Sequence, residues 1–319
     1  MKKLFIGDFN NSTGPSIVNQ NLNKNSDEFI CFEGKNVISL FFKIKKTKSV
    51  LISSLSKINI VALVYAKILR KKTFYLMHGY ASVENEIAGN HNFVEELIEK
   101  FTLKFSDKII CVSENFAKYL KKHLKRYKDK IAFANNGVDI TYTLAKEHET
   151  ETVNVISVGG GMRRKKNLAV CKAIEKMNTS TKINFIVIGK LLEDGDIIRQ
   201  YDFVKYYEKI SHKQVLEFMR KSNIYIQNSI FETFGLAVME ALFSGCSLLL
   251  SKNIGALSVL DIKDDNYIIY DVDNENEIAE KIEYVIKKPN NETLLSSIKV
   301  ENLSWKRMAN DVINIMEGN

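Results

Sequence analysis

Ser229-Ile-Phe-Glu-Thr-Phe-Gly-Leu-Ala-Val-Met-Glu-Ala-Leu242 holds two glutamates, Glu232 and Glu240, eight residues apart. Around Glu240 the residues Phe234, Leu236, Ala237, Val238, Met239, Ala241, Leu242 and Phe243 are all apolar. They predict a helix with no polar face, buried on every side. A carboxylate in such a helix needs a partner, because an unpaired ionised group is costly to bury. A basic side chain would serve, and so would a ligand carrying two neighbouring hydroxyls, such as a ribose or hexose diol. Gly235 stands just before the helix, where the first backbone amides are open to an anion such as phosphate. Diol and phosphate together describe a sugar nucleotide.

Upstream, Val155-Ile-Ser-Val-Gly-Gly-Gly161 ends a strand in three glycines and runs into Met-Arg-Arg-Lys-Lys-Asn167. Glycine lets backbone approach a phosphate closely, and Arg163, Arg164, Lys165 and Lys166 supply cations. The bland reading is a tight turn followed by a solvated basic run; facing a helix with spaced glutamates, the phosphate reading is the stronger. The order is not the Gly-x-Gly-x-x-Gly of dinucleotide enzymes.

The rest of the chain alternates short β-branched runs with helical patterns, the rhythm of doubly wound parallel sheets. Strands are expected at 3–6, 50–53, 73–78, 108–113 and 130–135, then at 153–159, 183–189, 202–207, 223–227, 246–251 and 267–270. The polar stretch 139–152 divides the two sets. Two α/β sets imply two Rossmann-like domains with a ligand cleft. His78 closes the strand Thr73-Phe-Tyr-Leu-Met-His-Gly79, at the end where such folds bind ligands.

The spacing Glu-x7-Glu, with Phe-Gly-Leu between the acids, resembles the signature of the retaining glycosyltransferases of family 4, which have the GT-B fold. Other segments resemble that family in its order: Asp107 to Ser113, Asn136-Gly-Val-Asp139, Val158-Gly159 with Lys166-Asn167, and Ser304-Trp305. The resemblance implies a GT-B architecture, two Rossmann-like domains with parallel sheets facing a central cleft. It implies an acceptor-side domain at 1–139, a nucleotide-sugar domain at 140–303 and a final helix, 304–319, returning to the first. It further implies a retaining, metal-independent hexosyltransferase using a nucleotide diphosphate sugar, a UDP-sugar above all, with no cofactor. By resemblance, His78 contacts the donor sugar and Glu232 holds its hydroxyls, Glu240 holds the ribose, and Lys166 and Arg163 hold the diphosphate. Gly160, Gly161, Thr233, Phe234, Gly235 and Leu236 line the donor, and Gly14 opens the acceptor-facing loop. Gly160 stands where the family usually has arginine, and Arg163 or Arg164 is expected to replace it. The acceptor class stays open among glycan, lipid-linked and protein hydroxyls, within cell-surface glycan or glycoconjugate synthesis. An epimerase of the same fold and a non-catalytic partner subunit of another transferase are the alternatives.

Composition bounds these readings. A chain of 319 residues, 45% hydrophobic, can fill two cores. Cys31, Cys111, Cys171 and Cys246 are scattered without a Cys-x-x-Cys pair, which points to a reducing cytoplasm and away from structural zinc. Asp194-Gly-Asp196 and Asp271-Val-Asp273 mimic a metal motif but lie in acidic turns, and they read as loops. The net charge of +8 is uneven: 24 basic against 15 acidic residues in 1–150, and 22 against 23 in the remainder. Much of the excess lies in Lys43-Ile-Lys-Lys-Thr-Lys48 and from Lys118 to Lys130, where Phe116, Leu120 and Leu124 recur among lysines; the latter reads as a basic amphipathic helix able to rest on an anionic membrane, or as a surface helix of a Rossmann-type domain with a lysine-rich solvated face. The protein is thus expected in the cytoplasm, peripheral on the inner membrane face, with no nucleic-acid partner and an oligomeric state left open.

Overall fold

The computed structural model describes residues 1–11, 13–89, 92–139 and 152–318. They form two compact units, Met1–Val138 with Val300–Asn319, and Asp139–Lys299. Most of the polar stretch expected to divide the domains, 140–151, lies outside the described residues.

The first unit begins β1 (Lys3–Ile6), α1 (Gly14–Lys24), β2 (Phe29–Phe32), α2 (Val37–Lys45), β3 (Ser49–Ser53) and α3 (Lys57–Ile68). It continues β4 (Lys72–Met77), α4 (Ala81–Ala88), α5 (Phe93–Phe105), β5 (Lys108–Cys111), α6 (Glu114–His123) and β6 (Ile131–Phe133). The strands pair in parallel in the order β2-β1-β3-β4-β5-β6. Helices cover both faces of such a sheet, so its central strands are apolar without alternation; Val50, Leu51 and Ile52 are fully buried. β2 was not among the expected strands. It is a four-residue edge strand with Phe29 and Phe32 buried and Ile30 exposed, so it lacks the continuous apolar run that marks the others.

The second unit runs β7 (Thr152–Val158), α7 (Asn167–Lys176), β8 (Lys182–Ile188), α8 (Gly195–Ile198), β9 (Val204–Tyr207) and α9 (His212–Arg220). Then come β10 (Ile224–Gln227), α10 (Leu236–Phe243), β11 (Ser247–Ser251), β12 (Ile268–Ile269), α11 (Glu275–Lys287) and α12 (Asn291–Ser297). Its parallel order is β12-β11-β10-β7-β8-β9. Val155, Phe185, Ile226 and Leu249 from four strands pack with Cys171 of α7 and with Ile278 and Ile282 of α11.

The last helix, α13 (Trp305–Glu317), belongs to the first unit and packs on α1. Trp305, Met308, Val312 and Met316 recur every three or four residues and are buried, each stabilising by about 1.5–3 kcal/mol. Ser304 caps its first turn by accepting from the Arg307 amide at 3.1 Å. A Cβ at Gly137 would lie 2.5 Å from the Trp305 ring, so only glycine lets that strand-end backbone meet the indole. At the far end, the buried Lys3 ammonium of β1 reaches Glu28 at 2.8 Å and Glu317 at 3.1 Å.

α6 corrects one expectation. Phe116 and Leu120, of the apolar spacing read as membrane-seeking, are buried in the unit's own core, and Leu124 is half-buried. Its lysines are the solvated side of an ordinary sheet-covering helix. Among the described residues no helix is long and apolar enough to cross a membrane.

Candidate active site

An open parallel sheet binds ligands where its strand order reverses, beyond the carboxyl ends of the strands. In the second unit that point lies between β7 and β10, since β8 and β9 extend one way and β11 and β12 the other. The turn after β7 carries the glycine-rich basic run, and the loop after β10 carries Glu232 and leads to α10. The two motifs that lie some seventy residues apart in sequence therefore converge.

Glu232 is the centre of this convergence. Its Oε2 accepts from Lys165 Nζ at 2.5 Å, from Arg164 Nη1 at 3.0 Å and from Gln227 Nε2 at 3.3 Å. Arg164 is fixed a second time by donating to the Phe231 carbonyl at 2.7 Å. Burial alone would raise the Glu232 carboxyl, but the charges of Lys165 and Arg164 outweigh it and hold it at about 2. Lys165 and Arg164 thus both converge on the Glu232 carboxylate.

The basic run was expected to act through Arg163 and Lys166, and neither of these is the residue that meets Glu232. Lys166, in the left-handed conformation at the start of α7 (φ 50°), pairs with Asp273 at 2.7 Å. Arg163 is exposed, and its amide donates to Glu193 at 3.1 Å. The 3-10 turn at Arg163–Lys165 swings Lys165 inward beneath Gly159, where a Cβ would meet its side chain at 2.7 Å.

The glycines also do something other than cradle phosphate. The amides of Gly159 and Gly160 donate to Ile188 O at 2.8 and 2.9 Å, and that of Gly161 to Lys190 O at 2.9 Å, so they are already committed. A Cβ at Gly160 would sit 2.2 Å from Lys190 O, and one at Gly161 1.8 Å from Leu191 O. These residues are glycine because the turn after β7 lies backbone to backbone on the turn after β8. No side chain fits at position 160, which accounts for the absence of arginine there.

α10 is also more open than expected. Val238, Met239, Ala241, Leu242 and Phe243 are buried, but Gly235, Leu236, Ala237 and Glu240 line a half-exposed flank. Glu240 is 21% exposed and meets His212 Nε2, at the start of α9, at 2.9 Å. The hydrogen bond to Glu240 raises the His212 pKa, with burial opposing it and the charges of Glu240 and Asp139 adding to it. Gly235 has φ 91°, a turn favouring glycine, and it aims the first amides of α10 at this flank. Phe234, expected in the donor lining, has its side chain buried in the core, and Thr233 is buried beside it.

In the first unit the strand order reverses between β1 and β3. His78, at the end of β4, meets Ser53 Oγ of β3 at 2.8 Å. Asn19 donates from Nδ2 to Asp8 O at 2.9 Å, which leaves its Oδ1 to accept from Ser53 at 2.7 Å. The single hydroxyl proton of Ser53 is thereby spent, so His78 Nε2 carries the proton in that bond. Desolvation holds the imidazole down at about 3, hence neutral. Gly14 opens α1, whose Thr13 cap accepts from Ser16 N at 3.4 Å, and a Cβ there would touch nothing within 4 Å. A cavity of about 760 Å³, not foreseen from sequence, opens at the ends of β1 and β3, lined by Asp8, Glu33, Lys35, Lys57 and Asn59 among others.

Asp196 pairs with Arg199 at 2.8 Å, and Asp271 accepts from the Asp273 amide at 3.0 Å, as turn residues do. Among the described residues no group of three or more His, Cys, Asp or Glu side chains could hold a metal ion.

Two parallel six-stranded units, each with a strand-order reversal, define the GT-B fold. The model of glycosyl transferases group 1 matches residues 140–299, half of the chain, and that of Glycosyltransferase Family 4 matches 38–142. The chain belongs to the glycosyl transferases group 1 family. An uncharacterized glycosyltransferase of Methanocaldococcus jannaschii is 26% identical over 258 residues, 76% of this chain and 67% of that protein. Sucrose-phosphate synthase of Spinacia oleracea is 24% identical over 110 residues, and the matched part is 34% of this chain and 10% of that protein. The fold is shared with Anabaena HepE in complex with UDP and glucose, at a TM-score of 0.74 and 12% identity over the full length of both chains. It is shared as well with sucrose-phosphate synthase from Thermosynechococcus elongatus, at 0.74 and 15% over 100% of this chain and 99% of that one.

Proposed function

We propose that the protein transfers a hexose from a nucleoside diphosphate sugar, UDP-linked, to a hydroxyl acceptor with retention at the transferred carbon. The observation that carries this reading is the convergence of Lys165 and Arg164 on Glu232 at the β7–β10 reversal point. As the glycosidic C–O bond breaks, charge grows on the departing diphosphate. Preorganised cations and the first amides of α10 are worth more against that charge than against the neutral bond. Glu232 positions both cations and offers its carboxylate to the sugar hydroxyls, while Glu240 takes the ribose diol. The acceptor oxygen bonds the carbon on the face the diphosphate leaves, and its proton passes to the leaving phosphate oxygen. Neutral His78 is assigned to a hydroxyl of the donor sugar, and the cavity above β1 and β3 to the acceptor. With two cations placed for the phosphates, no divalent ion is needed, and a chelator should leave transfer unchanged. The family speaks for transfer over epimerisation.

The test is sugar release from a panel of nucleotide sugars, with and without acceptor alcohols, in wild type and Lys165→Ala. Transfer with retained anomeric configuration that falls at least a hundredfold in the variant is the expected result. Turnover indifferent to Lys165, or interconversion of the free donor, would overturn the reading.

A further inference from the structure

Between Lys35 and Lys72 the chain carries ten basic residues and no acidic one. This run folds into α2, β3 and α3. Its charge is far denser than the solvated face of an ordinary sheet-covering helix requires.

The same helices leave large apolar side chains in solvent. On α2, Ile38 is 68% and Phe42 53% exposed; on α3, Val64 is 43% and Ile68 66% exposed. α3 packs against α2 on one side and α5 on the other, and α5 adds Phe93 at 74% and Leu97 at 54%. The Phe41 and Tyr65 rings, 5.2 Å apart edge to face, join α2 to α3. Each pair recurs at a spacing of four, so each helix presents an outward apolar stripe on top of the inward one it buries. Helical spacing sets lysines into these stripes: Lys45 lies seven residues after Ile38, and Lys57 seven before Val64. Both are exposed.

We propose that the α2–α3–α5 face is the surface by which this protein rests on an anionic membrane, with its apolar stripes among the acyl chains and its lysines against the headgroups. Charge complementarity selects this occupant. A second copy seated on the face would set the acid-free lysine runs of α2 and α3 against each other, with only the half-exposed Glu95 and Glu96 of α5 to offset them, and neutral bilayer would leave the lysines without lipid counter-charge. The cavity above β1 and β3 shares Val37, Lys57 and Val61 with the start of α2 and of α3, so an acceptor anchored in that surface would reach it directly. The docking itself does not rest on the donor chemistry.

Full-length protein is sedimented with vesicles of phosphatidylcholine alone and of phosphatidylcholine with phosphatidylglycerol, at low and high salt. Binding should need the anionic lipid and weaken with salt, by about fivefold for each lysine removed. Lys45→Glu with Lys46→Glu should abolish it, and Ile38→Ser with Phe42→Ser should reduce it at least tenfold. Lys121→Glu with Lys122→Glu on α6 should leave it unchanged. These are surface changes, and an unaltered melting temperature confirms that each variant is folded. Equal binding to both vesicles, loss only in the α6 variant, or self-association abolished by Phe42→Ser would each overturn the proposal.

Discussion

Lys165 and Lys166 are adjacent and chemically identical, yet only one of them reaches Glu232. Lys165 is buried against it at 2.5 Å, and Lys166 lies on the exposed Asp273. Lys165→Met is therefore expected to lower turnover at least a hundredfold and to cost about 1–3 kcal/mol of stability, with Arg164 remaining as a partner. Lys166→Met should change both by little. Turnover and chemical denaturation of the two variants check this, and equal losses would return the clamp to Lys166. The carboxyl of Glu232, held at about 2 against an ordinary 4.5, adds stability that is present above 4.5 and fades as pH falls toward 2. Acid melts of Glu232→Gln should lack that part of the decline. His212 has the opposite sign. Its value is raised above 6.5, so its bond to Glu240 is fully ionic below 6.5 and loses its charge as pH climbs through the raised value. Since ribose must take Glu240 from it, UDP binding should tighten as pH climbs above 6.5 through the raised value, and His212→Gln should flatten that slope. Parallel pH profiles in calorimetry would remove His212 from the site. Glu240→Gln removes that competition together with the ribose contact, so it should weaken UDP by about 1.5–3 kcal/mol above the raised value and by less below it. The acids were legible in sequence from an apolar helix that tolerates one charge. His212 was not, because nothing in a chain marks which residue of a neighbouring helix will arrive opposite.

At the scale of elements, strands and helices were legible wherever an apolar period continued for several residues, as in Lys182–Ile188 or Trp305–Glu317. The edge strand Phe29–Phe32 was missed because half of it faces solvent. What sequence could not show is how two turns share space. Gly160 reads as a missing arginine in isolation. Seen beside β8 it is a residue whose Cβ would meet Lys190 O at 2.2 Å, with φ 60° besides. Gly160→Arg is thus expected to destabilise the second unit by several kcal/mol and to restore no activity. Gly160→Ala should already carry much of that loss, since the clash begins at Cβ. A folded Gly160→Arg protein with raised turnover would show that the turn can open.

For the whole molecule, the uneven charge was legible, and so were its two lysine-rich segments, 43–48 and 118–130; which of them lies beside exposed apolar side chains was not. α6 supplied the more obvious amphipathic pattern, but a helix always has two faces and sequence does not say which is turned inward. The second unit is drawn from one continuous stretch, whereas the first needs Val300–Asn319. A chain ending before Val300 would expose the α1 surface that Trp305, Met308, Val312 and Met316 cover. Such a truncation is expected to make the first unit protease-sensitive and to leave the second resistant. Resistance of both, or loss of both, would show that the helix is not the first unit's own.

The bond from Lys3 to Glu317 places the two extremes of the described chain 3.1 Å apart. During synthesis on the ribosome the middle of the chain can complete its sheet while the opening segment still waits for its closing helix. A circularly permuted version, with these ends joined by a few residues and the new opening cut between Lys299 and Val300, would make both units contiguous and should remove that delay from refolding.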